Sequence, residues 1–148
     1  MDKKSRITRA ALAAIAASAV IAMPSCSYKD ENAAEERARQ FAQSYFNMRF
    51  GQAAGLCTEN SVKWIKYHAS NISQDDIDVL DSQTDTAVCE IDDIDDSGDS
   101  ATVSMTVRNF LRCDSIGKRG RMCKEANFQI AMKKVGDKWL VNLAGPLQ

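Results

Sequence analysis

The only histidine in this chain of 148 residues, His68, is the one side chain that could act as an imidazole base near neutral pH. A reaction would also need a partner group, either Cys57 as a thiol nucleophile or Tyr45 as a proton donor. No neighbouring sequence supports either pairing. We therefore predict that His68 is a partly exposed residue at a helix end, and we assign no catalytic residue.

Cys26 is the residue whose chemistry the sequence specifies best. Residues 3–9 contain four bases, and the apolar run over residues 10–23 is too short to span a bilayer but suits the core of a signal peptide. The run ends at Met23-Pro24-Ser25-Cys26. This resembles a bacterial lipobox, in which a small residue precedes a cysteine whose thiol accepts a diacylglyceryl group, although Met23 and Pro24 depart from the usual leucine and small residue. We predict a lipoprotein signal peptide over residues 1–25 and lipidation of Cys26, palmitate included. The alternative is an ordinary cleaved leader that leaves Cys26 as a thiol.

The segment after Cys26 predicts where the anchored protein is sent. Lys29, Asp30 and Glu31 resemble the signal that exports some Gram-negative lipoproteins to the outer surface of the outer membrane. A solvated tether explains the same residues equally well. We expect a lipidated tether over residues 26–32 and a globular domain over residues 33–148. The predicted location is the bacterial outer membrane, lipid-anchored and facing the periplasm or the cell surface.

Charge is distributed unevenly along the chain. The formal net charge is -1, and without the leader 15 bases and 19 acids remain, a net of -4 that argues against nucleic acid as a partner. Residues 75–99 contain eleven acids and no base, whereas residues 108–138 contain nine bases and three acids. The basic hairpin turn around Lys118, Arg119 and Arg121 could meet an anionic headgroup, an acidic partner, or the aspartate-rich turn of a second copy in a homodimer.

One acidic stretch matches half of a metal-binding loop. Asp93, Asp95, Ser97 and Gly98 fill the first positions of a calcium loop, but Ser104 stands where the closing glutamate should be. The flanking residues predict strands rather than helices. We interpret residues 92–99 as an acidic hairpin turn, and we expect neither a metal nor a cofactor.

Four cysteines besides Cys26 could form disulfide bonds, because export would place them in an oxidising compartment. Of the three pairings that four cysteines permit, the one we favour joins Cys113 to Cys123 across a hairpin loop. Cys57 with Cys89 would then tie the helical layer to the first strand. Zinc is the alternative, but no two cysteines have the two-residue spacing that structural zinc sites prefer.

The first half of the domain has helical periodicity. Residues 33–50 carry apolar side chains at spacings of three and four, namely Ala34, Ala38, Phe41, Ala42, Tyr45 and Met48. Gly51 should end or kink this helix, and residues 52–57 predict a short helical turn. The next helix should bury Val62, Ile65 and Ala69, and residues 75–81 predict a polar turn.

The second half alternates with the period of two that is typical of half-buried strands. Residues 86–91 predict a short first strand. Three segments between residues 100 and 143 then alternate, with inward side chains at Val103, Met105, Val107, Leu111, Ala126, Phe128, Ile130, Met132, Trp139, Val141 and Leu143. The pattern predicts an antiparallel meander whose apolar face packs on the first helix, and hence an α+β fold.

The order of these elements, the Phe41/Tyr45/Phe46 helix and the terminal Lys-Trp-Leu-Val strand resemble the nuclear transport factor 2-like superfamily over residues 33–143. More narrowly, the chain is similar to the small secreted lipoproteins of that superfamily. The resemblance implies a cone in which N-terminal helices pack in a strongly curved antiparallel sheet and leave a pocket at the open end. It implies no single activity, because the superfamily includes isomerases, dehydratases and non-catalytic binders.

Three residues are candidates for the lining of such a pocket. Tyr45 and Trp64 could border it, and Asn109 interrupts the inward face if the alternation of the long strand holds. A bulge after Arg108 would instead turn Asn109 outward and Phe110 inward.

We therefore expect a membrane-tethered, non-catalytic module that binds a small apolar ligand in its pocket or an envelope protein through its sheet. The alternatives are a pocket enzyme of the isomerase, dehydratase or hydrolase type, and a structural component of an envelope assembly. An inward His68, Asp85 or Glu90 with a polar neighbour would favour the enzyme.

Overall fold

The computed structural model describes residues 25–113 and 116–147, and side chains from residue 31 onward. In these residues four helices precede four strands: α1 (Ser25–Phe46), α2 (Phe50–Ala54), α3 (Glu59–Ser70), α4 (Gln74–Asp81), β1 (Val88–Asp96), β2 (Ser100–Arg112), β3 (Arg121–Val135) and β4 (Lys138–Val141). The predicted α+β class, with N-terminal helices packed against an antiparallel sheet, is confirmed. The predicted signal peptide lies outside the described residues except for Ser25, and so does the side chain of Cys26.

The sheet is a meander in which each strand pairs with the next, in the order β1-β2-β3-β4. At its centre Val103 lies opposite Ile130, and Met105 lies opposite Phe128. These side chains face the core, and the residues between them face outward. The predicted alternation is therefore confirmed in β2 up to Val107, in β3 from Phe128 to Met132, and from Trp139 to Leu143. It changes at the end of β2, where Asn109 is exposed and Phe110 and Leu111 are both buried.

β1 is longer than predicted and carries carboxylates along one edge of the sheet. Asp93 lies opposite Ser104 and Asp95 lies opposite Thr102, so both aspartates belong to a paired strand. The turn is confined to residues 97–99. Within the described ranges no group of three histidines, cysteines or acids is placed to hold a metal ion. The partial match to a calcium loop is thus an edge strand followed by a tight turn.

α1 packs on the sheet because its small and aromatic side chains recur at helical spacing. Its buried face consists of Ala34, Ala38, Phe41, Ala42, Tyr45 and Phe46, each at most 5% exposed. The ring of Phe46 lies 5.1 Å from that of Phe110 and 4.7 Å from that of Phe128, measured between centroids. Burying a side chain of this size contributes about 2–3 kcal/mol to folding.

The segment after α2 extends the sheet beyond β4. Cys57 forms a parallel bridge with Val141. The amide of Thr58 donates to the carbonyl of Val141, and the amide of Val141 donates to the carbonyl of Leu56, both at 2.9 Å. These bonds join the short helices to the sheet and cover the edge of β4.

α1 ends at Phe46 in a motif that usually contains glycine. The amide of Met48 donates to the carbonyl of Tyr45 at 3.1 Å, and the amide of Arg49 donates to the carbonyl of Ser44 at 2.8 Å. This pair of bonds defines a Schellman motif, whose first residue after the cap is left-handed. Met48 occupies that position with φ +60°.

Several predicted boundaries were wrong. α1 begins at Ser25 rather than at residue 33, and Gly51 lies inside α2 instead of ending α1. The segment over residues 75–81 is helix α4, not a polar turn. Its start is a capping box, in which the Ser73 hydroxyl accepts from the amide of Asp76 and the Asp76 carboxylate accepts from the amide of Ser73.

The carboxylate of Asp76 also joins α4 to the segment before β3. The side chain is 1% exposed. One oxygen accepts from the amide and hydroxyl of Ser73, both at 2.8 Å, and the other accepts from the amide of Gly120 at 2.6 Å. Burial disfavours the charged form, but the bonds from Ser73 and Gly120 and the charge of Arg119 outweigh it and lower the pKa of Asp76.

Replacing Asp76 with asparagine should lower the free energy of unfolding by about 2–3 kcal/mol at neutral pH. An amide keeps only one acceptor, so its NH2 group would face one of the two backbone donors now satisfied by the carboxylate. Urea unfolding followed by circular dichroism measures the effect. Asp75→Asn, an exposed change in the same turn, is the matched control and should shift the value by less than about 0.5 kcal/mol.

The same pair of variants tests the charge of Asp76. Its folded pKa lies below its unfolded pKa of about 4, so its stabilisation is present above that pH and is lost as the pH falls through the folded pKa. The difference between wild type and Asp76→Asn should therefore shrink in acid. A difference that does not change with pH would contradict the assignment.

Candidate functional site

Met48 and Asn109 are the only non-glycine residues with positive φ in the described part of the chain, at +60° and +56°. The left-handed conformation costs an ordinary L-residue roughly 1–2 kcal/mol. Residues held in it cluster at functional sites. Here both line one surface groove, which therefore becomes the candidate site.

Three separate segments of the chain form this groove. They are the turn after α1, the end of α4 with the loop that leads to β1, and Asn109 in β2. The groove has a volume of about 290 Å³. Its apolar lining is Phe46, Met48, Leu80 and Ala87, and its polar lining is Asn47, Asp81, Gln83, Thr84, Asp85, Thr86 and Asn109.

Asn47 fixes one wall of the groove. Its side-chain oxygen accepts from the amide of Ala87 at 2.9 Å, and its side-chain nitrogen donates to the carbonyl of Ala87 at 3.2 Å and to that of Gln43 at 2.8 Å. The amide side chain thereby pairs with Ala87 as a neighbouring strand would. It ties the end of α1 to the start of β1 and leaves Asn47 little capacity for a ligand.

A second, much smaller space shares Phe46 and Met48 with the groove. We call it the chamber. Its remaining lining is Tyr45, His68, Phe110, Leu111, Arg112, Cys113 and Leu147. The volume of about 10 Å³ is room for one water molecule and not for a ligand.

Tyr45 and His68 meet in the chamber. Their ring centroids are 5.0 Å apart, and the Tyr45 hydroxyl donates to the carbonyl of Leu147 at 3.1 Å. Burial raises the pKa of Tyr45. Burial also lowers the pKa of His68, against a weaker opposing effect of Asp76. Both side chains are therefore neutral at physiological pH.

His68 was predicted to be partly exposed, and that prediction was wrong. It is 7% exposed, because α3 turns Ser61, Ile65 and His68 toward the core rather than the face predicted from Val62, Ile65 and Ala69. Ser61 is buried because its hydroxyl accepts from the amide of Leu143 at 2.7 Å. The face of α3 that contains Ser61 and His68 was therefore wrongly predicted to face solvent.

The three predicted pocket residues do not share one site. Tyr45 lines the chamber, Asn109 lines the groove, and Trp64 lines neither. Trp64 is half-buried on α3, with the Lys63 ammonium 5.0 Å from its ring centroid. The second alternative for the long strand is the observed one, because Asn109 points outward and Phe110 points into the core.

This change of face occurs without an inserted residue. Arg108 lies opposite Glu125, and Phe110 lies opposite Cys123, in unchanged register. The change of face coincides with the left-handed conformation of Asn109. The predicted bulge is not observed, because a bulge would have shifted the register between β2 and β3.

No disulfide bond joins the four described cysteines. Cys113 and Cys123 were predicted to face each other, but Phe110 lies opposite Cys123, and Cys113 lies beyond the last pair, Arg112 with Arg121. The hairpin is asymmetric about the two cysteines, so they do not lie opposite each other in the register of β2 and β3. Cys57 and Cys89 are buried thiols in the core, where burial raises the pKa of Cys57 to about 12 and that of Cys89 to about 11.

Other predicted candidates lie away from the chamber. Asp85 lines the groove, whereas Glu90 is exposed on the outer face of the sheet and pairs with Arg108, as does Glu125. Sequence reasoning missed Met48 and, except for Asp85, the groove residues before β1. No glycine or motif marks the turn at Met48, so no sequence signal was available for it.

Comparisons with known proteins found similarity among solved structures. No protein-family model matches the chain, and no curated protein matches it. Among solved structures, the chain is similar to a Campylobacter jejuni protein whose name assigns it to the NTF2-like transpeptidases, with 14% identity and a TM-score of 0.47. The similarity covers 74% of this chain and 96% of that one.

No helix in the described ranges has the length and apolar character needed to cross a membrane.

Replacing Asn109 tests the left-handed conformation. Asn109→Gly should leave stability unchanged or raise it by up to about 1 kcal/mol, whereas Asn109→Val should lower it by about 1–2 kcal/mol. Gln129→Val, on the exposed face of β3, is the control and should change stability by less than about 0.5 kcal/mol. Equal effects of valine at both positions in urea unfolding would contradict the backbone assignment.

Burial of neutral His68 predicts a dependence of stability on pH. Its folded pKa lies below the ordinary value of 6.5, so the unfolded chain binds more protons between the two values. The free energy of unfolding should therefore be highest above the ordinary pKa of 6.5 and decrease as the pH falls below it, with a slope of at most about 1.4 kcal/mol per pH unit. Unfolding between pH 5 and 8 measures it, and His68→Phe, which removes the only histidine, should abolish this component. A wild-type slope that persists in His68→Phe would assign the effect to other groups.

Proposed function

We propose that this chain is a lipid-anchored protein of the bacterial envelope whose domain binds a small amphipathic ligand in the groove between Met48 and Asn109, without transforming it. The observation that carries the proposal is the coincidence of both left-handed residues with the groove of about 290 Å³. That volume is close to the lower limit for small-molecule sites. The anchor rests on the lipobox-like sequence before Cys26.

The lining of the groove supports a particular class of ligand. The side chains of Phe46, Met48 and Leu80 provide an apolar surface, and Asp81 and Asp85 provide carboxylates. No lysine or arginine is among the lining residues of the groove. A ligand with an apolar body and a cationic or hydrogen-donating end matches this combination better than the purely apolar ligand expected from the sequence.

The separation of the chamber from the groove supports binding rather than catalysis. The groups with catalytic potential, His68 and Tyr45, line a space for one water molecule, and the Tyr45 hydroxyl is already bonded to Leu147. A general base must come within hydrogen-bond reach of its substrate. A ligand in the groove would meet Met48 and Phe46 before it met either group.

A pocket enzyme remains the second candidate because of one observation. His68 faces inward beside Tyr45, and Cys113 lines the same chamber. Displacement of Met48 would open these groups to the groove. In that case His68→Gln should abolish turnover and leave ligand retention intact, whereas a pure binding module shows no turnover to lose.

Native mass spectrometry of the protein extracted from its own membrane tests the ligand. Wild type should carry a bound small molecule, and Asp85→Lys should lose it because the lysine places a cation against the cationic end of the ligand. Asp137→Lys makes the same charge change in the exposed β3–β4 turn and should retain the ligand. Absence of a ligand from wild type, or equal retention in both variants, would contradict the groove assignment.

The anchor has its own test. The intact mass of the membrane-extracted protein should correspond to a chain that begins at Cys26 and carries acyl chains. Cys26→Ser should remove the acyl chains and release the protein from the membrane fraction. A cleaved but unacylated chain would support the ordinary leader instead. Failure of this test would leave the groove proposal standing.

A further inference from the structure

The turn between β2 and β3 carries the most exposed large apolar side chain of the described residues. Ile116 is 70% exposed, whereas the other exposed large apolar residues, Tyr67, Ile77, Val88 and Val135, range from 39% to 49%. Folding leaves most of the Ile116 side chain in solvent, so it is available for a contact outside the domain.

Two bases stand beside this isoleucine. Lys118 and Arg119 are exposed, and neither forms a salt bridge within the described parts of the chain. The charge of Arg119 acts on the Asp76 carboxylate, but Asp76 is buried and already accepts hydrogen bonds from Ser73 and Gly120. We call Ile116, Lys118 and Arg119 the basic tip.

The base of the tip is held firmly to the domain. The amide of Gly120 donates to Asp76, and a Cβ at Gly120 would lie 3.0–3.1 Å from atoms of Leu111, Asp76 and Cys113. This close packing leaves no room for a larger residue at the base. The basic tip therefore projects from a fixed point beside α4.

The tip lies at the opposite end of β2 from the acidic turn. β2 has 13 residues, which in a strand span about 40 Å. The aspartates of β1 and the turn over residues 97–99 adjoin its start, and the basic tip adjoins its end. The two exposed bases of the tip are therefore far from the acids of β1, which cannot neutralise them.

We propose that the basic tip docks on an anionic lipid bilayer, with Ile116 in the headgroup boundary and Lys118 and Arg119 against lipid phosphates. The surface of one apolar side chain and two bases is far smaller than the total area of about 1,000 Å² or more that a stable protein interface buries. The same set suits a bilayer, where apolar insertion and attraction to anionic lipids add. The contact goes beyond ligand binding in the groove and does not depend on it.

The geometry also fixes how the domain would lie. α1 has 22 residues and is about 33 Å long, and Tyr45 near its end shares the chamber with Cys113, the residue that follows β2. Cys26 lies at the other end of the helix. If the lipid on Cys26 and the basic tip enter one bilayer, α1 must therefore run along the membrane surface.

Tryptophan fluorescence of the full chain on vesicles tests the docking. Ile116→Trp should gain emission that is shifted to the blue and quenched by brominated phosphatidylglycerol vesicles, beyond the signal of wild type with Trp64 and Trp139. Val135→Trp, another exposed apolar position, is the matched control and should gain no quenching. High salt should remove the added quenching, because the attraction is electrostatic.

Charge reversal completes the test. Lys118→Glu with Arg119→Glu, in the Ile116→Trp background, should weaken the added quenching about tenfold or more, whereas the equal charge change Lys133→Glu with Lys138→Glu should weaken it far less. Circular dichroism confirms folding of each variant. The proposal is overturned if Ile116→Trp is quenched no more than wild type, as it would be if the tip bound an acidic protein. It is equally overturned if quenching is the same on neutral phosphatidylcholine vesicles.

Discussion

The ring of Tyr45 is the contact on which the arrangement of the helices depends. It stacks on Phe41 within α1 at 5.5 Å, meets Phe50 of α2 at 5.9 Å and lies 5.0 Å from His68 of α3, measured between ring centroids. Its hydroxyl, the one polar part of a buried side chain, is satisfied by Leu147 near the end of the described chain. One residue therefore joins three helices and the C-terminal segment. The sheet holds the other side of α1 through Phe46.

The way α1 ends determines where a site can form. The Schellman motif ends α1 after Phe46, and the left-handed Met48 leads the chain into α2. Asn47 then binds the backbone of Ala87, so the opening between helix and strand is bridged at one point and left open beside it. The groove is thus a direct result of ending a helix over a sheet without a glycine.

The features that the sequence predicted are those produced by one-sided burial. The meander and the buried face of α1 repeat with fixed periods, so alternation and spacing reveal them. α4 was missed because its aspartates hide a weak apolar pattern, and because Asp76 takes the capping-box place that glutamate or glutamine usually holds. Periodicity carries no information about such hydrogen bonds.

The site was harder to predict than the fold. The groove joins residues 46–48, residues 80–87 and Asn109, which are distant in sequence. Two of its residues, Met48 and Asn109, adopt a left-handed backbone conformation that residue type alone does not predict. Asn109 is the partial exception, since asparagine tolerates the left-handed region better than most residues. Cys113 and Cys123 were expected to face each other and do not, for a related reason, because the position of a hairpin turn decides which residues lie opposite each other.

The acids of β1 have a consequence for how many copies of the protein can share a surface. β1 is an edge strand, and its outer backbone groups would accept a second sheet if one approached. Asp93, Asp95 and Asp96 place like charges along that edge, so two copies meeting edge to edge would repel each other. If the proposed lipid anchor confines the protein to a membrane, copies would meet far more often than in solution, since diffusion would be restricted to two dimensions. Carboxylates at this edge would thus keep a dense layer of copies from polymerising into fibrils.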